Sequence, residues 1–273
     1  ARSIVVRYGA TMLTLFSHYT ATLAVTAGVF LVLWIVSLRT RNASLVDIWW
    51  GPGFALIALL SFALTPEGAL SRRQLVLILT TIWGLRLGTH LLVRNTGKDE
   101  DFRYAAMRKA WGHGFAMKSL TRVFLLQAAL MWVVSFPAQA AMRSATPATL
   151  GFFDWLGILV WTFGLFFETV GDLQLARFKK DPANADRVMD RGLWRFTRHP
   201  NYFGDACAWW GLWLIAFAVP GGFWSIVGPI TMTVLLTSVS GVPMLERKIG
   251  ERRPGYDEYA RRTSAFLPRP PRG

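Results

Sequence analysis

From Ala206 to Leu245 the chain runs for forty residues without an Asp, Glu, Lys or Arg. A membrane crossing needs about 20 predominantly apolar residues, so this run is long enough for two. Pro220, Gly221 and Gly222 interrupt it, and such residues punctuate helices, which predicts a tight helical hairpin. A second uncharged run, Tyr8 to Leu38, exceeds the ~7–15-residue core of a secretory signal and reads as a retained span. Further apolar stretches follow at Ser44 to Leu64, broken by Asp47, at Gln74 to Val93, carrying Arg86, at Val123 to Met142, and at Phe152 to Gln174. The pattern predicts an all-α integral membrane bundle of seven transmembrane helices in a single membrane domain, 1–273. Its spans are expected at about 11–36, 44–64, 74–94, 123–142, 152–174, 201–219 and 223–245, with a tail at 246–273.

Composition narrows the class further. The 273 residues are 53% hydrophobic and 17% charged, against about 25% charged in an average soluble chain, which excludes disordered and fibrous readings. One cysteine, Cys207, has no partner for an intrachain disulfide. The net charge of +14 suits either nucleic acid or anionic lipid, and its distribution decides. With seven spans and a cytosolic C-terminal tail, 24 Lys and Arg fall in inner segments and five, Arg2, Arg7, Arg72, Arg73 and Arg143, in outer ones. That is the positive-inside asymmetry. The expected partners are therefore membrane lipids, with no nucleic acid and no obligatory protein partner.

Ionisable groups inside spans mark candidate sites. Glu168 and Asp172 stand four apart on the fifth span, and Lys179 continues their helical face. Arg86, His90 and Arg94 form a second polar face on the third span; an arginine near a helix end also snorkels, which would account for Arg94. Asp47 opens the second span beside Trp49 and Trp50, either as a helix cap or as a carboxyl kept protonated by its aromatic surroundings. The densest constellation runs from Arg191 to Asp205. Pro200 suits a first helical turn, and the free N–H groups there favour an anion. Arg191, Arg195 and Arg198 lie just before it, a cradle for pyrophosphate or a 2′-phosphate, while Asn201 and Asp205 are spaced to bond neutral parts of a ligand. Arginines at a membrane edge also meet lipid phosphates. No dinucleotide-binding or P-loop glycine pattern occurs, and His18, His90, His113 and His199 are scattered, so no metal site is expected.

The segment Gly-Leu-Trp-Arg-Phe-Thr-Arg-His-Pro-Asn-Tyr-Phe-Gly-Asp, ending at Asp205 and preceded by Gly-Asp-Leu-Gln-Leu-Ala-Arg-Phe-Lys-Lys-Asp-Pro, resembles the steroid 5-alpha-reductase family, in particular its bacterial branch. The likeness is strong from about 168 to 268 and weaker over 44 to 104, where Ser-Leu-Val-Asp-Ile-Trp-Trp-Gly stands. It implies an enzyme of the bacterial inner membrane that binds NADPH from the cytosolic side. Its substrate would be a 3-oxo-4-ene steroid or similar hydrophobic enone entering from lipid; hydride goes to C5 and a proton to C4. By position the resemblance implies cofactor roles for Asp172, Lys179, Asn201, Asp205 and Tyr259, with Arg94 near a further such position. Arg195, Arg198, His199, Tyr202 and Tyr256 are grouped with them. Animal members polarise the 3-oxo group with a Gln-Glu pair on span two and a Tyr on span three. Here those regions offer Asp47, Trp49 and Trp50, and Trp83 and Arg86, so Asp47, Arg86 and Trp50 are the candidates for the chemistry at the carbonyl. A looser Arg-His-Pro-x-Tyr-x-Gly also occurs in isoprenylcysteine and phospholipid methyltransferases, which makes an S-adenosylmethionine-dependent membrane methyltransferase the alternative.

Overall fold

A computed structural model describes residues 2–239 and 254–272. Every regular element among them is helical. The α-helices are α1 (Arg2–Thr40), α2 (Leu45–Leu64), α3 (Leu70–Asn95), α4 (Phe102–Trp111), α5 (Phe115–Ser119), α6 (Leu126–Val134), α7 (Phe136–Arg143), α8 (Phe152–Lys180), α9 (Pro200–Phe217), α10 (Val227–Val234) and α11 (Tyr256–Arg262). Among the described residues six helical stretches are long and apolar enough to cross a membrane: Ser17–Thr40, Leu45–Leu64, Leu70–Asn95, Phe102–Val134, Phe152–Lys180 and Gly222–Val239. This is a multi-pass membrane protein. The end of the expected seventh span, 240–245, and the start of the tail, 246–253, lie outside the described residues.

Two spans differ from expectation. The fourth belongs to a longer helical stretch that begins at Phe102, in which a short 3-10 turn at Gly112–Gly114 and a π-helical turn at Leu120–Leu125 link α4, α5 and α6, with Gly112 at a φ of 48° where α4 ends. Its charges read as a loop, yet Lys109, Lys118 and Arg122 sit on its exposed side. The path stops at Ser135, where Pro137 lacks the N–H needed to continue. The sixth expected span, α9, is not among the six. Its 18 residues are as many as in Gly222–Val239, but Asn201, Tyr202 and Asp205 dilute its apolar character at the start.

The chain divides into two compact units, Ala1–Leu150 with Val219–Gly222, and Gly151–Ala218 with Phe223–Gly273. In the first, α2 and α3 pack through small residues. A Cβ on Gly88 would lie 2.6 Å from the Pro52 ring. The rings of Phe54 and Trp83, both buried, meet edge to face at 5.5 Å, and Trp50 packs on Phe54 in the same way. Arg72 and Arg73, at the start of α3, are buried. Arg72 donates to the carbonyls of Pro147 (2.7 Å) and Thr149 (3.1 Å), and Arg73 to those of Phe62 (2.5 Å) and Pro66 (3.1 Å). They satisfy loop and helix-end carbonyls that would otherwise be unpaired.

In the second unit, α8 and α9 run antiparallel along facing glycines. Gly157, Gly164 and Gly171 recur every seven residues on α8, as do Gly204 and Gly211 on α9. A Cβ on Gly157 would lie 2.6 Å from the Gly211 carbonyl oxygen, and one on Gly164 2.5 Å from that of Gly204. Small residues let membrane helices approach backbone to backbone, and here they carry the polar face of α8 to the start of α9. Further along, α9 turns into α10 through Gly221, whose φ of 72° suits a residue without Cβ, and Trp210 donates to the Thr233 hydroxyl at 3.1 Å.

Candidate functional site

In the second unit the expected cofactor residues converge where α8 ends and α9 begins. Glu168, Asp172, His199 and Asp205 are all buried. Asn201 donates from Nδ2 to Asp172 Oδ1 at 3.0 Å, while its own Oδ1 is buried without a hydrogen-bond partner. A buried carbonyl oxygen left so costs about 1–3 kcal/mol unless something donates to it. His199 stacks on Tyr202, with centroids 5.3 Å apart and an interplanar angle of 6°. The loop before α9 is pinned to α8 at two points. Gln174 Oε1 accepts from the Leu193 amide (3.0 Å), and Trp194 Nε1 donates to the Gly171 carbonyl (3.0 Å).

Some other members of the expected set bond to the tail or to the loop before α9. Arg198 does not stand in a phosphate cradle with Arg191 and Arg195: its Nη1 donates to the carbonyls of Ala260 and Thr263, both at 2.7 Å. Those carbonyls belong to the last turn of α11 and its exit, where the backbone presents unpaired acceptors that attract a cation. Tyr259 is buried and donates its hydroxyl to the Trp194 carbonyl at 2.6 Å, with Tyr256 packed edge-on beside it at 6.0 Å. Tyr259 thus ties the tail to the loop. Arg191, Arg195 and Lys179 are exposed. No grouping of three or more His, Cys, Asp or Glu able to hold a metal occurs among the described residues.

A separate polar cluster lies in the first unit, and only part of it was expected. Asp47 is held by two donors, Tyr104 Oη to Oδ1 at 2.6 Å and Arg103 Nη2 to Oδ2 at 2.5 Å. Gln127 Nε2 donates to Tyr104 Oη at 3.4 Å. Both Asp47 oxygens therefore accept hydrogen bonds, one from a tyrosine and one from an arginine. Trp50 packs on Phe54. Arg86 is half-buried and Arg94 exposed, and neither joins the Asp47 hydrogen bonds. Tyr104, Arg103 and Gln127 lie 56 to 80 positions beyond Asp47, the first two in a segment whose charges suggest a loop and Gln127 within an expected span, so no local spacing links them to it.

The entry to this cluster is braced by two carboxylates outside the apolar helices. Glu100 accepts from Arg108 and from the Ala43 amide at 2.7 Å. Burial pushes its carboxyl up, but those bonds outweigh it and hold it below the usual range. Asp101 is likewise burdened by burial and yet lowered by the Arg103 side chain and amide. A depressed carboxyl adds stability that is complete above its unfolded value and is lost as pH falls through the folded one. The thermal midpoint should accordingly drop between neutral pH and pH values below the usual carboxylate range. Glu100→Gln should flatten part of that drop, and an unchanged acid profile in the variant would rule out this brace as its source.

The fold and both clusters define a multi-pass helical membrane protein with buried polar sites. Over residues 33–263 the chain matches the model of a family described as Protein of unknown function (DUF1295), and it belongs to that family. It is also 24% identical over 264 residues to Uncharacterized protein C594.04c of Schizosaccharomyces pombe (strain 972 / ATCC 24843), an alignment covering 87% of this chain and 76% of that one. No solved structure matches it.

Proposed function

We propose that this protein is an NADPH-dependent reductase of conjugated enones carried by steroids or similar flat lipids, of the steroid 5-alpha-reductase type. In this reading it crosses the bacterial inner membrane seven times, α9 being one of the crossings, with its tail in the cytoplasm; the 15 Lys and Arg of 177–198 and 246–273, all on the inner side in this reading, support that orientation. The reading rests above all on Asn201. Its amide is oriented by Asp172, so that its buried oxygen is held ready for an incoming N–H or O–H. A nicotinamide carboxamide or a ribose hydroxyl is such a donor, and the residues present fit the cofactor in that respect. Asp172 would orient Asn201, Asp205 and Tyr202 would complete the polar wall, and exposed Arg191 and Arg195 would favour the extra phosphate over NADH.

NADPH, when bound, supplies the hydride for the enone carbon. The chain's own task is then the ketone oxygen, on which negative charge develops; a positioned donor there is usually the largest catalytic contribution. Within the first unit, taken by itself, Tyr104 is the proposed donor. Its hydroxyl rests on Asp47 and can turn to a substrate oxygen, while Arg103 keeps the carboxylate balanced and Gln127 holds the phenol oxygen. The product is the saturated ketone, with one further proton taken up at the neighbouring carbon.

Titration of purified protein with NADPH, followed by nicotinamide fluorescence, tests the cofactor assignment. Asn201→Ala and Asp172→Asn should each weaken binding by about 5- to 150-fold, equivalent to one lost buried hydrogen bond of ~1–3 kcal/mol. Unchanged affinity in both variants would remove these residues from the site. Saturable binding of S-adenosylmethionine with none of NADPH would replace the reductase by the methyltransferase.

A further inference from the structure

The tail and Arg198 line a pocket that does not include Asp172 or Asn201. It measures about 320 Å³ and is lined by Arg198, Arg261, Arg262, Arg269 and Arg272 together with five uncharged residues. No acid among the described residues lines it. Arg262 pairs with Glu258 at 3.7 Å, and both are well exposed, where such a pair contributes little. Arg198 is already engaged by the Ala260 and Thr263 carbonyls; the other four guanidinium groups repel one another, so something other than counter-charge must hold them there. Three backbone hydrogen bonds do: Arg198 N–H to the Ser264 carbonyl (2.8 Å), Arg269 N–H to that of Phe196 (3.0 Å) and Arg272 N–H to that of Arg262 (3.0 Å). The proline-rich end folds back over the end of α11, and its side chains are presented by the backbone whatever their charge. Arg261, Arg262, Arg269 and Arg272 are exposed at the rim.

From this we infer that the tail pocket is a phosphate-binding site, taking a phosphomonoester or pyrophosphate group. Phosphate is favoured over carboxylate because guanidinium forks bind its oxygens in pairs, and several arginines can be served at once only by a group with three or more charged oxygens. The cavity is far too small for a folded partner and suits one such group. Either a lipid head group or a soluble phosphate compound presents that chemistry. The site goes beyond the cofactor reading: Arg269 and Arg272 have no part in it and lie beyond the matched family segment, which ends at residue 263.

The full chain, in neutral detergent, is titrated with inorganic pyrophosphate by calorimetry at fixed ionic strength; in parallel it is placed in phosphatidylcholine nanodiscs containing increasing phosphatidic acid, with the thermal midpoint as readout. The double variant Arg269→Gln/Arg272→Gln keeps both backbone N–H groups and so should fold, which circular dichroism checks; Arg261→Gln serves as a second variant. Saturation by pyrophosphate, weakened about tenfold to a hundredfold for each arginine removed, supports a soluble ligand. A midpoint that rises only with phosphatidic acid, and does so less in both variants, supports a head group. The proposal is overturned if neither arm responds, if chloride at matched ionic strength does as well, or if folded variants respond like the parent.

Discussion

Tyr104→Phe should leave the fold and NADPH affinity intact and lower kcat with a 3-oxo-4-ene steroid by about 10²- to 10³-fold, the loss typical of removing one donor to a developing oxyanion. The substitution removes only the hydroxyl. The ring stays in its buried place, and Asp47 keeps Arg103 at 2.5 Å. An effect on kcat with little change in KM is the mark of an interaction made only in the transition state. Asp47→Asn should act more weakly, since an amide oxygen still accepts from Tyr104 while Arg103 loses its balancing charge. Rapid-mixing measurement of NADPH oxidation under single-turnover conditions separates chemistry from binding. If Tyr104→Phe turns over normally while Arg86→Met folds, binds NADPH and does not, the donor is on α3 and the assignment fails.

The largest expected effect on stability comes from the glycine seam of the second unit. A Cβ on Gly204 would collide with the amide nitrogen of Glu168 and the carbonyl oxygen of Gly164. Both obstacles are backbone, so no rotamer change relieves them, and α8 and α9 would have to separate. Gly204→Val should cost about 3 kcal/mol or more, at or above the upper end for overpacking, and should weaken NADPH binding with it, because the seam is what brings Asn201 to Asp172. Gly28→Ala is the control. Nothing lies within 4 Å of a Cβ there, and alanine is the better helix former by about 0.8–1 kcal/mol. Thermal unfolding in detergent, read by size-exclusion chromatography, should separate the two clearly; a Gly204→Val midpoint equal to that of the parent would show that the helices can part at no cost.

Much of the polar cluster between α8 and α9 is legible in the amino-acid sequence, since Arg191 to Asp205 is continuous and Pro200 marks where a helix can start. Asp172 is legible through its spacing from Glu168. What local spacing does not carry is how each arginine is used. Arg198 looks like a phosphate ligand because it neighbours two other arginines, but the carbonyls that claim it lie more than sixty residues away. Arg72 and Arg73 look like outer-face charges and are buried clasps. The glycine seam does have a sequence signal, a period of seven on both helices, that is easily taken for ordinary glycine content.

Helicity, the membrane as solvent, and the approximate bounds of most spans follow from the sequence alone, because in lipid a backbone must satisfy its own hydrogen bonds and a charge-free run of about 20 residues leaves few other choices. Tertiary structure alone decided that Tyr104, Arg103 and Gln127 surround Asp47, that Arg198 and Tyr259 hold the tail, and that the tail's arginines ring one pocket. Hydrophobic periodicity says which residues leave water, while the partner of a buried polar atom depends on helix contacts between residues far apart in the chain, and no local pattern encodes those.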